Sequence, residues 1–206
     1  MNLDSNAASA TGSRVLLRPI SREDYPLLFK WRSDTTSLHL WSTHRRVISF
    51  EQFAAGLEAL LQECVFFLVV ERMTGREVGF VHTYSASPED GFTHFILYAD
   101  ESVRGTGLVV EASILFGDYL FKFFSLRKLY AEVYEFNQQS IDALTSAGFV
   151  HEGTLKQHFW YLDRYWDMYQ YALYRSDWDI LRERMLPLIE RSEPRTARRS
   201  YLAHPT

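Results

Sequence analysis

Two glycines stand close together at the start of a long apolar segment, in the stretch VRGTGLVVEA at residues 103–112. Gly105 and Gly107 allow the backbone to approach a ligand closely, and the apolar residues that follow repeat with the period of a helix. The first N–H groups of a helix have no partner within it, and the helix dipole favours negative charge there. Arg104 adds a planar group that binds phosphate oxygens. The spacing predicts a phosphate-binding loop, although two glycines also suit a plain turn.

Three patterns of phosphate-binding loop can be compared with this stretch. A P-loop requires G-x-x-x-x-G-K-[ST], which the sequence lacks. A dinucleotide fingerprint requires G-x-G-x-x-G, but Val110 stands at its third glycine, which argues against a nucleotide-binding oxidoreductase. The third pattern is Arg/Gln-x-x-Gly-x-Gly/Ala, with Arg104 and Gly107 at its first and fourth positions. Val109 departs from this pattern, and a β-branched side chain there could crowd a bound pyrophosphate.

A second polar motif, N-x-x-S, consists of Asn137 and Ser140. Asparagine is a preferred N-cap residue, and it predicts a helix that runs through Leu144 and ends at Gly148. Spacing alone favours a structural role, in which Asn137 caps the helix and Ser140 is a polar residue of its first turn. A serine hydroxyl can also donate a proton to a leaving group.

Several titratable side chains lie on predicted strands. His94 belongs to the strand at residues 92–99, and His82 belongs to the strand at residues 77–86. An imidazole with an ordinary pKa of about 6.5 can act as a general base at neutral pH. Each histidine could equally be a hydrogen-bonded residue of the sheet. Glu132 is a more remote candidate for the base, and no metal-binding group is expected.

The predicted elements place these residues in one mixed domain. A strand at residues 14–18 and two helices that start near Ser21 and Ser49 precede a three-stranded meander. The glycine loop then leads into an apolar helix, which a further strand and the Asn137 helix follow. A strand–helix–strand unit joined to a meander predicts an α/β domain with a partly parallel sheet. The predicted bounds are 65–71, 77–86 and 92–99 for the meander, 108–124 for the apolar helix, 127–136, 149–155 and 167–174 for the later strands, and 177–190 for a final helix broken at Pro187.

Length and composition suit one domain. The chain has 206 residues, of which 47% are hydrophobic, enough for a sizeable core. A formal charge of −4 argues against sequence-independent binding of nucleic acid. We find no signal peptide and no apolar run of about 18 residues for a membrane span, so a cytoplasmic protein is expected. The single cysteine, Cys64, fits a reducing compartment and is expected to be a buried strand residue. We expect a flexible leader at 1–13, the domain at 14–178, and a helix with a basic, disordered tail at 179–206.

Five blocks of the sequence, in order, resemble the GNAT superfamily of N-acetyltransferases, especially the ribosomal-protein alanine acetyltransferases and their relatives. The resemblance runs from about Arg14 to Trp178, and the glycine loop is similar to the pyrophosphate loop of that family. The resemblance implies the GNAT fold, which is a mostly antiparallel central sheet with two parallel strands that splay apart, flanked by helices. The blocks are RVLLRPISREDYPLLFKW, EVGFV, VRGTGLVVEA, NQQSIDALTSAGFVHEGTL and DRYWDMYQYALYRSDW.

The resemblance also implies acetyl-CoA as co-substrate and assigns residues to it. The pantetheine arm would pair with the backbone of residues 97–99, where an N–H group would polarise the acyl carbonyl. The pyrophosphate would lie on the N–H groups of residues 104–109, and Asn137 would contact the arm. The implied cofactor-binding residues are therefore Leu97, Tyr98, Ala99, Arg104, Gly105, Thr106, Gly107, Leu108, Val109 and Asn137.

The same resemblance implies catalytic and acceptor-binding residues. Ser140 would donate a proton to the CoA thiolate, and His94 stands where relatives often carry a glutamate base. His82 is a second candidate for the base and a candidate substrate contact, whereas water-mediated deprotonation would need neither histidine. The residues that would line the acceptor pocket are Trp31, Arg32 and Trp41, although each tryptophan also suits the core.

The predicted function is transfer of an acetyl group from acetyl-CoA to a primary amine, by direct attack in a ternary complex. The acceptor is either a small amine, such as an aminosugar, an antibiotic or another metabolite, or a protein N-terminus. Val109 departs from the loop pattern, and His94 replaces the glutamate of relatives. A non-catalytic acyl-CoA-binding or regulatory protein of the same fold is therefore an alternative, and a transferase of a longer acyl group is another. No nucleic-acid or membrane partner is expected, and a homodimer is possible.

Overall fold

Eight strands form one sheet in the computed structural model, which describes residues 10–41 and 46–191. The strands are β1 (Ala10–Thr11), β2 (Val15–Pro19), β3 (Phe66–Glu71), β4 (Arg76–Ser87), β5 (Phe92–Ala99), β6 (Lys128–Tyr134), β7 (Val150–Tyr161) and β8 (Arg164–Tyr174). They lie in the order β1-β2-β3-β4-β5-β6-β8-β7, and all neighbouring pairs except β5–β6 are antiparallel. The predicted mixed α/β class, with its parallel pair of strands, is confirmed.

Six helices occur in the described residues. They are α1 (Tyr25–Ser33), α2 (Leu38–Trp41), α3 (Phe50–Glu63), α4 (Gly107–Phe123), α5 (Gln138–Ser146) and α6 (Trp178–Arg191). The predicted capping box at the start of α3 is present, since the Ser49 hydroxyl accepts from the Gln52 N–H and the Gln52 side chain accepts from the Ser49 N–H. No helix among these is long and apolar enough to span a bilayer.

The parallel strands β5 and β6 part after three residue pairs. Phe92–His94 lie beside Lys128–Tyr130, after which β5 continues to Ala99 and β6 continues to Tyr134 without pairing with each other. Residues 95–99 consequently have one backbone edge that β6 does not cover. Backbone N–H and C=O groups need partners, so this edge is suited to a ligand that supplies them.

The two faces of the sheet are covered by different helices. The helices α4 and α6 pack on one face, together with Phe95 and Leu97 of β5. The helices α1 and α3 pack on the other face, against Ile96 and Tyr98. Side chains alternate along a strand, which places His94 on the same face as Ile96. The cluster under α1 and α3 includes no residue of β6 or β8. We call the half of this face that lies towards β6 and β8 the open face, because that cluster does not extend over it.

Most predicted elements are present, with bounds that differ by a few residues. The helix α2 lies in a stretch expected to be a loop, and β7 and β8 extend to 12 and 11 residues. Pro187 lies inside α6 rather than at a break, and Cys64 follows the end of α3 instead of lying in a strand. The short strand β1 falls within the expected leader. Residues 1–9 and 192–206 are outside the described residues, so the flexible leader and the disordered tail stay predictions.

Candidate active site

A cleft of about 470 Å³ opens beyond the point where β5 and β6 separate. Four segments form its walls: α2, the end of β5, the loop and first turn of α4, and the first two turns of α5. The cleft brings together all the predicted cofactor-binding residues except Leu108, and it adds Ser140. Its lining consists of Leu40, Leu97, Tyr98, Ala99, Arg104, Gly105, Thr106, Gly107, Val109, Val110, Asn137, Gln139, Ser140 and Ala143.

The loop before α4 is held by a short turn and a helix cap. Residues 101–103 form a 3-10 turn, and Gly105 has a φ of +74°, a conformation that favours glycine. The Thr106 hydroxyl donates to the Val103 carbonyl (2.7 Å) and accepts from the Leu108 N–H (3.4 Å). These local contacts fix the loop and start the helix at Gly107.

Alternate N–H groups of the loop are available to a ligand. Those of residues 104, 106 and 108 donate to acceptors within the loop. Those of Gly105, Gly107 and Val109 have no acceptor in the described part of the chain. Three such donors at a helix N-terminus suit a pyrophosphate. Leu108, also predicted to bind the cofactor through its N–H, buries its side chain in the core and donates that N–H to the Thr106 hydroxyl, so its role in binding stays a prediction.

Arg104 joins the loop to the end of β5. Its Nε donates to the Ala99 carbonyl at 3.1 Å, and its guanidinium makes no other hydrogen bond among the described residues. Four of its five N–H donors therefore remain for phosphate oxygens. The side chain also borders a second, polar cavity of about 320 Å³ on the side of α1.

The first turn of α5 presents a second helix N-terminus to the cleft. Asn137 caps this helix as predicted, since its side-chain oxygen accepts from the Ser140 N–H at 3.3 Å. Gly148, with a φ of +87°, follows the end of the helix as predicted. Asn137 and Ser140 both line the cleft, so the Ser140 hydroxyl lies on a capped turn at the wall opposite the predicted cofactor-binding loop.

His94 lies on the open face at the point where the strands part. Its ring lies between those of Tyr84 and Tyr130, with centroid distances of 5.1 and 5.0 Å. Its Nε2 is 3.7 Å from Oε1 of Glu132 and 3.3 Å from the amide nitrogen of Gln170. Its Nδ1 is buried and has no hydrogen-bond partner in the described structure. His94 therefore belongs to a polar network beside the cleft rather than to the cleft lining.

Glu132, the remote candidate of the sequence, links two members of this network. Its Oε2 accepts from the Tyr84 hydroxyl at 2.9 Å. Burial, followed by the Glu132 carboxylate, raises the pKa of Tyr84 well above its usual value, so the phenol stays protonated. Tyr84, His94 and Tyr130 are partners across three strands, and Glu132 lies two residues beyond Tyr130 on the same face. Finding this contact from sequence requires the register of β5 against β6.

A family model described as an acetyltransferase (GNAT) domain matches residues 14–150, which is more than half of the chain. The chain belongs to the GNAT acetyltransferase family. It is therefore an acyltransferase that depends on acetyl-CoA, and the predicted enzyme class is confirmed. The available N–H groups of the loop and the donors of Arg104 fit the pyrophosphate of that molecule. No curated protein sequence matches the chain.

Solved structures of acetyltransferases share the fold of this GNAT protein. Spermidine N-acetyltransferase from Vibrio cholerae, solved with CoA and spermine, is 20% identical, with 81% of this chain and 99% of that chain covered and a TM-score of 0.75. A GCN5-related N-acetyltransferase from Brucella melitensis is 21% identical, with 88% and 85% covered and a TM-score of 0.73. A GNAT-family acetyltransferase from Bacillus anthracis is 18% identical, with 82% and 99% covered and a TM-score of 0.69. The resemblance to the ribosomal-protein alanine subgroup stays a prediction.

Of the predicted acceptor-site residues of the acetyltransferase, Trp31, Arg32 and His82 are not among the described residues that line the cleft. Trp31 is 5% exposed and packs on the rings of Phe80 and Tyr98 in the core under α1. Arg32 is half-buried, and burial lowers its pKa. The side chain of Trp41 is outside the described part of the structure. Roles for these residues in binding an acceptor stay predictions.

His82 lies on the same face as His94, beyond Tyr84, with a centroid distance of 6.4 Å between His82 and Tyr84. Its ring stacks on Phe66 at 4.7 Å, and its Nδ1 lies 2.9 Å from the Thr83 carbonyl. This contact favours the tautomer with the proton on Nδ1. Burial lowers the pKa of His82, which favours the neutral ring. His82 thus keeps its second nitrogen as an acceptor.

The helix α2, which the sequence did not indicate, contacts the hairpin of β7 and β8. The His39 ring stacks on Tyr161 at 4.5 Å and lies 5.9 Å from the Phe136 ring. Burial lowers the pKa of His39. The segment after α1 therefore contacts the edge of the sheet formed by β8 and β7, and these rings lie at the border of the open face.

Proposed function

We propose that the acetyltransferase transfers the acetyl group of acetyl-CoA to a primary amine by direct attack in a ternary complex. The observation that carries this proposal is the cleft beyond the split between β5 and β6. The N-termini of α4 and α5 meet there, and three N–H groups and Arg104 are available to the pyrophosphate. The uncovered edge of residues 95–99 suits the amide groups of the pantetheine arm, and an N–H group there would polarise the acyl carbonyl.

The proposal gives separate roles to the residues around the cleft. Ser140 protonates the leaving thiolate, because it lines the cleft on the first turn of α5. Asn137 contacts the pantetheine arm while it caps that helix. His94 and Glu132, 3.7 Å apart, form the basic pair that removes a proton from the amine. The N–H groups of Gly105, Gly107 and Val109 hold the pyrophosphate.

A small primary amine is the acceptor that the surroundings favour. An α-amino group has a pKa of about 8 and a lysine-type amine of about 10.4, so the amine arrives largely as a cation. The open face offers a carboxylate and several aromatic rings, and both attract cations. One structural neighbour is named as a spermidine N-acetyltransferase, which agrees with an amine acceptor. A protein N-terminus is the second acceptor, and the proposed acceptor contacts are Trp31, Arg32, Trp41 and His82.

The test is the release of CoA thiol from acetyl-CoA in the presence of single acceptors. The panel contains aminosugars, aminoglycosides, polyamines and peptides with a free N-terminus. We expect turnover with a small amine, whereas turnover with peptides alone would move the acceptor to a protein N-terminus. Binding of acetyl-CoA without turnover on any amine would contradict the proposed transfer.

The role of Ser140 is tested by Ser140→Ala, with Ser146→Ala at the other end of α5 as the matched control. We expect Ser140→Ala to lower kcat by about 10²–10⁴-fold, the usual contribution of a general acid. The Kd for acetyl-CoA should stay near the wild-type value, because the loop before α4 provides most of that binding. Equal kcat values for the two variants would remove Ser140 from the mechanism.

A further inference from the structure

A buried carboxylate on α4 connects the loop before that helix to the N-terminal part of the sheet. Glu111 is 4% exposed, whereas the other buried side chains of α4 are apolar. We propose that Glu111 is a positioning residue for the coenzyme, because it fixes the first turns of α4 on residues 10–14, which we call the N-terminal strap. Glu111 thereby sets the place of the loop N–H groups. The inference rests on the proposed function, in which these N–H groups bind the pyrophosphate.

The carboxylate of Glu111 accepts hydrogen bonds from two residues of the strap. The Ser13 hydroxyl donates to Oε1 at 2.9 Å. The Arg14 N–H lies 3.1 Å from Oε1 and 3.3 Å from Oε2. Among the described residues, no lysine, arginine or histidine side chain forms an ion pair with Glu111, so the strap supplies all the hydrogen bonds that this carboxylate accepts there.

The strap is itself fixed on the sheet. Its first two residues form β1, which pairs with β2. The Arg72 guanidinium donates to the carbonyls of Gly12 and Ser13 at 2.7 and 3.1 Å. The Arg72 N–H donates to the Arg14 carbonyl at 2.8 Å. Glu111 therefore connects α4 to a segment that β2 and the residue after β3 hold in place.

The backbone of the strap passes directly against the carboxylate. A Cβ atom added at Gly12 would lie 2.2 Å from Oε1 of Glu111 and 3.1 Å from the Leu115 side chain. No larger residue fits at this position unless the carboxylate moves. A substitution of Gly12 therefore displaces the Glu111 side chain without removing any hydrogen-bonding group from the strap or the helix.

A carboxylate at this position is not what stability alone would favour. Burial of a carboxylate is unfavourable unless hydrogen bonds satisfy it, and a well-packed apolar residue is often at least as stabilising. The hydrogen bonds of Glu111, however, are satisfied at only one position of the helix along the strap. The apolar neighbours Leu108 and Ala112 pack in the core without such a directional requirement. Glu111 therefore specifies where α4 begins relative to the sheet.

The helix transmits this position to the loop. Glu111 lies on the turn that follows Gly107 and Val109, so the three residues are within about 6 Å along the helix axis. Because a helical turn moves as a unit, a shift of Glu111 also moves the N–H groups of Gly107 and Val109. Hydrogen bonds to a phosphate tolerate displacements of only about 0.5 Å. The edge of residues 95–99 belongs to the sheet, so Glu111 also sets the distance between the two parts of the coenzyme site.

The test is the Kd for acetyl-CoA, measured by calorimetry without an acceptor amine. We expect Glu111→Ala to weaken binding by about tenfold, as for loss of one hydrogen bond to a charged group. Glu111→Gln keeps an oxygen for the Ser13 hydroxyl and the Arg14 N–H, so its Kd should stay near the wild-type value. Gly12→Ala, which displaces the carboxylate, should weaken binding severalfold. Ser13→Ala replaces Glu111→Ala should the latter not fold, and a severalfold loss is expected for it too.

A second carboxylate of α4 provides the matched control. Asp118 lies about three turns beyond the loop, and it accepts from the Trp178 indole N–H at 2.9 Å and from Arg182 at 3.0 Å. Asp118→Ala should lower Tm and keep the wild-type Kd. Coupling between the strap and the coenzyme is reciprocal, so acetyl-CoA should also slow the hydrogen exchange of the Arg14 N–H. The Cys64 N–H, at the end of α3, should exchange at the same rate with and without acetyl-CoA.

Two results would overturn the role of Glu111. One is a wild-type Kd in both Glu111→Ala and Gly12→Ala, and the other is an equal loss of affinity in Asp118→Ala, which would indicate general destabilisation. Arg104→Ala separates this role from the pyrophosphate placement, since it should weaken binding by about tenfold. A wild-type Kd in Arg104→Ala would overturn that placement and the role of Glu111 with it. A protein that binds acetyl-CoA as expected but acetylates no amine would overturn only the proposed transfer.

Discussion

Asn137 is expected to serve both helix α5 and the bound coenzyme, and three substitutions separate the two roles. Asn137→Ala removes the side-chain cap and any contact with the pantetheine arm. Asn137→Ser keeps a capping oxygen on a shorter side chain. Asn137→Asp keeps the cap and adds a negative charge, which stabilises a helix N-terminus but replaces the amide N–H donors.

The size of the effect follows from the contacts of the cap. The Ser140 N–H lies 3.3 Å from the Asn137 side-chain oxygen and 3.1 Å from the Asn137 backbone carbonyl. Because the N–H group keeps the carbonyl when the side chain is removed, the loss should lie at the low end of measured caps, about 0.5–1 kcal/mol. For a protein of this size 1 kcal/mol corresponds to about 2–4 °C in Tm. Asn137→Ala should therefore lower Tm by about 1–4 °C.

The assay pairs thermal unfolding without ligand and calorimetric titration with acetyl-CoA. Asn137→Ala should lower both Tm and affinity, whereas Asn137→Asp should keep Tm near or above the wild-type value and still lower affinity. Asn137→Ser should keep most of the Tm. Equal Tm values for the wild type and Asn137→Ala would refute the cap. Wild-type affinity in Asn137→Asp would refute the contact with the coenzyme.

Three further predictions concern the loop, the sheet edge and the helices. Val109→Gly should tighten acetyl-CoA binding severalfold in calorimetry while lowering Tm, since glycine in a helix costs up to about 1 kcal/mol; an unchanged Kd would show that valine does not crowd the pyrophosphate. Burial alone would raise the pKa of Glu152, but hydrogen bonds from two tyrosine hydroxyls and a lysine ammonium lower it to about 2. The ionised Glu152 therefore stabilises the fold fully above the ordinary pKa of 4.5, and this contribution is lost as pH falls towards 2. Glu152→Gln should make the free energy of unfolding depend less on pH in this window, as measured by acid unfolding. Gly117→Ala should destabilise by about 1–3 kcal/mol, because the new Cβ would lie 2.4 Å from the Trp178 ring, whereas Gly56→Ala, with nothing within 4 Å, should stabilise by about 0.5–1 kcal/mol in denaturant unfolding.

The parts of the site set by short-range contacts could be predicted from the sequence. The Thr106 cap, the Gly105 turn and the Asn137 cap each depend on hydrogen bonds within a few residues. Residue type and spacing are enough to indicate such contacts. The loop and the start of α5 were accordingly predicted, although the sequence did not show that the N–H groups of residues 104, 106 and 108 are used internally.

The parts set by strand register could not be predicted. Glu132 lies near Tyr84 and His94 only because β6 pairs with β5, although the helix α4 separates the two strands in the sequence. A shift of one residue in the register of β5 against β6 would place Glu132 and His94 on opposite faces of the sheet. The hairpin of β7 and β8 is longer than predicted, for a related reason. Its register shifts between Leu155 and Phe159, and Gln157 has a φ of +50°, so the alternation that marks a strand is interrupted there.

In the proposed mechanism, the split between β5 and β6 provides the coenzyme site and the proton-accepting site together. Three residue pairs fix the register that brings His94 and Tyr130 side by side, and this register places Glu132 on the open face just beyond the last pair. The lack of pairing after that point leaves the edge of residues 95–99 to a ligand that supplies amide groups. If the ladder continued, β6 would cover that edge and the carboxylate would lie over a closed sheet. The same interruption therefore brings the uncovered edge of β5 and the Glu132 carboxylate next to each other, as the proposed transfer to an amine requires.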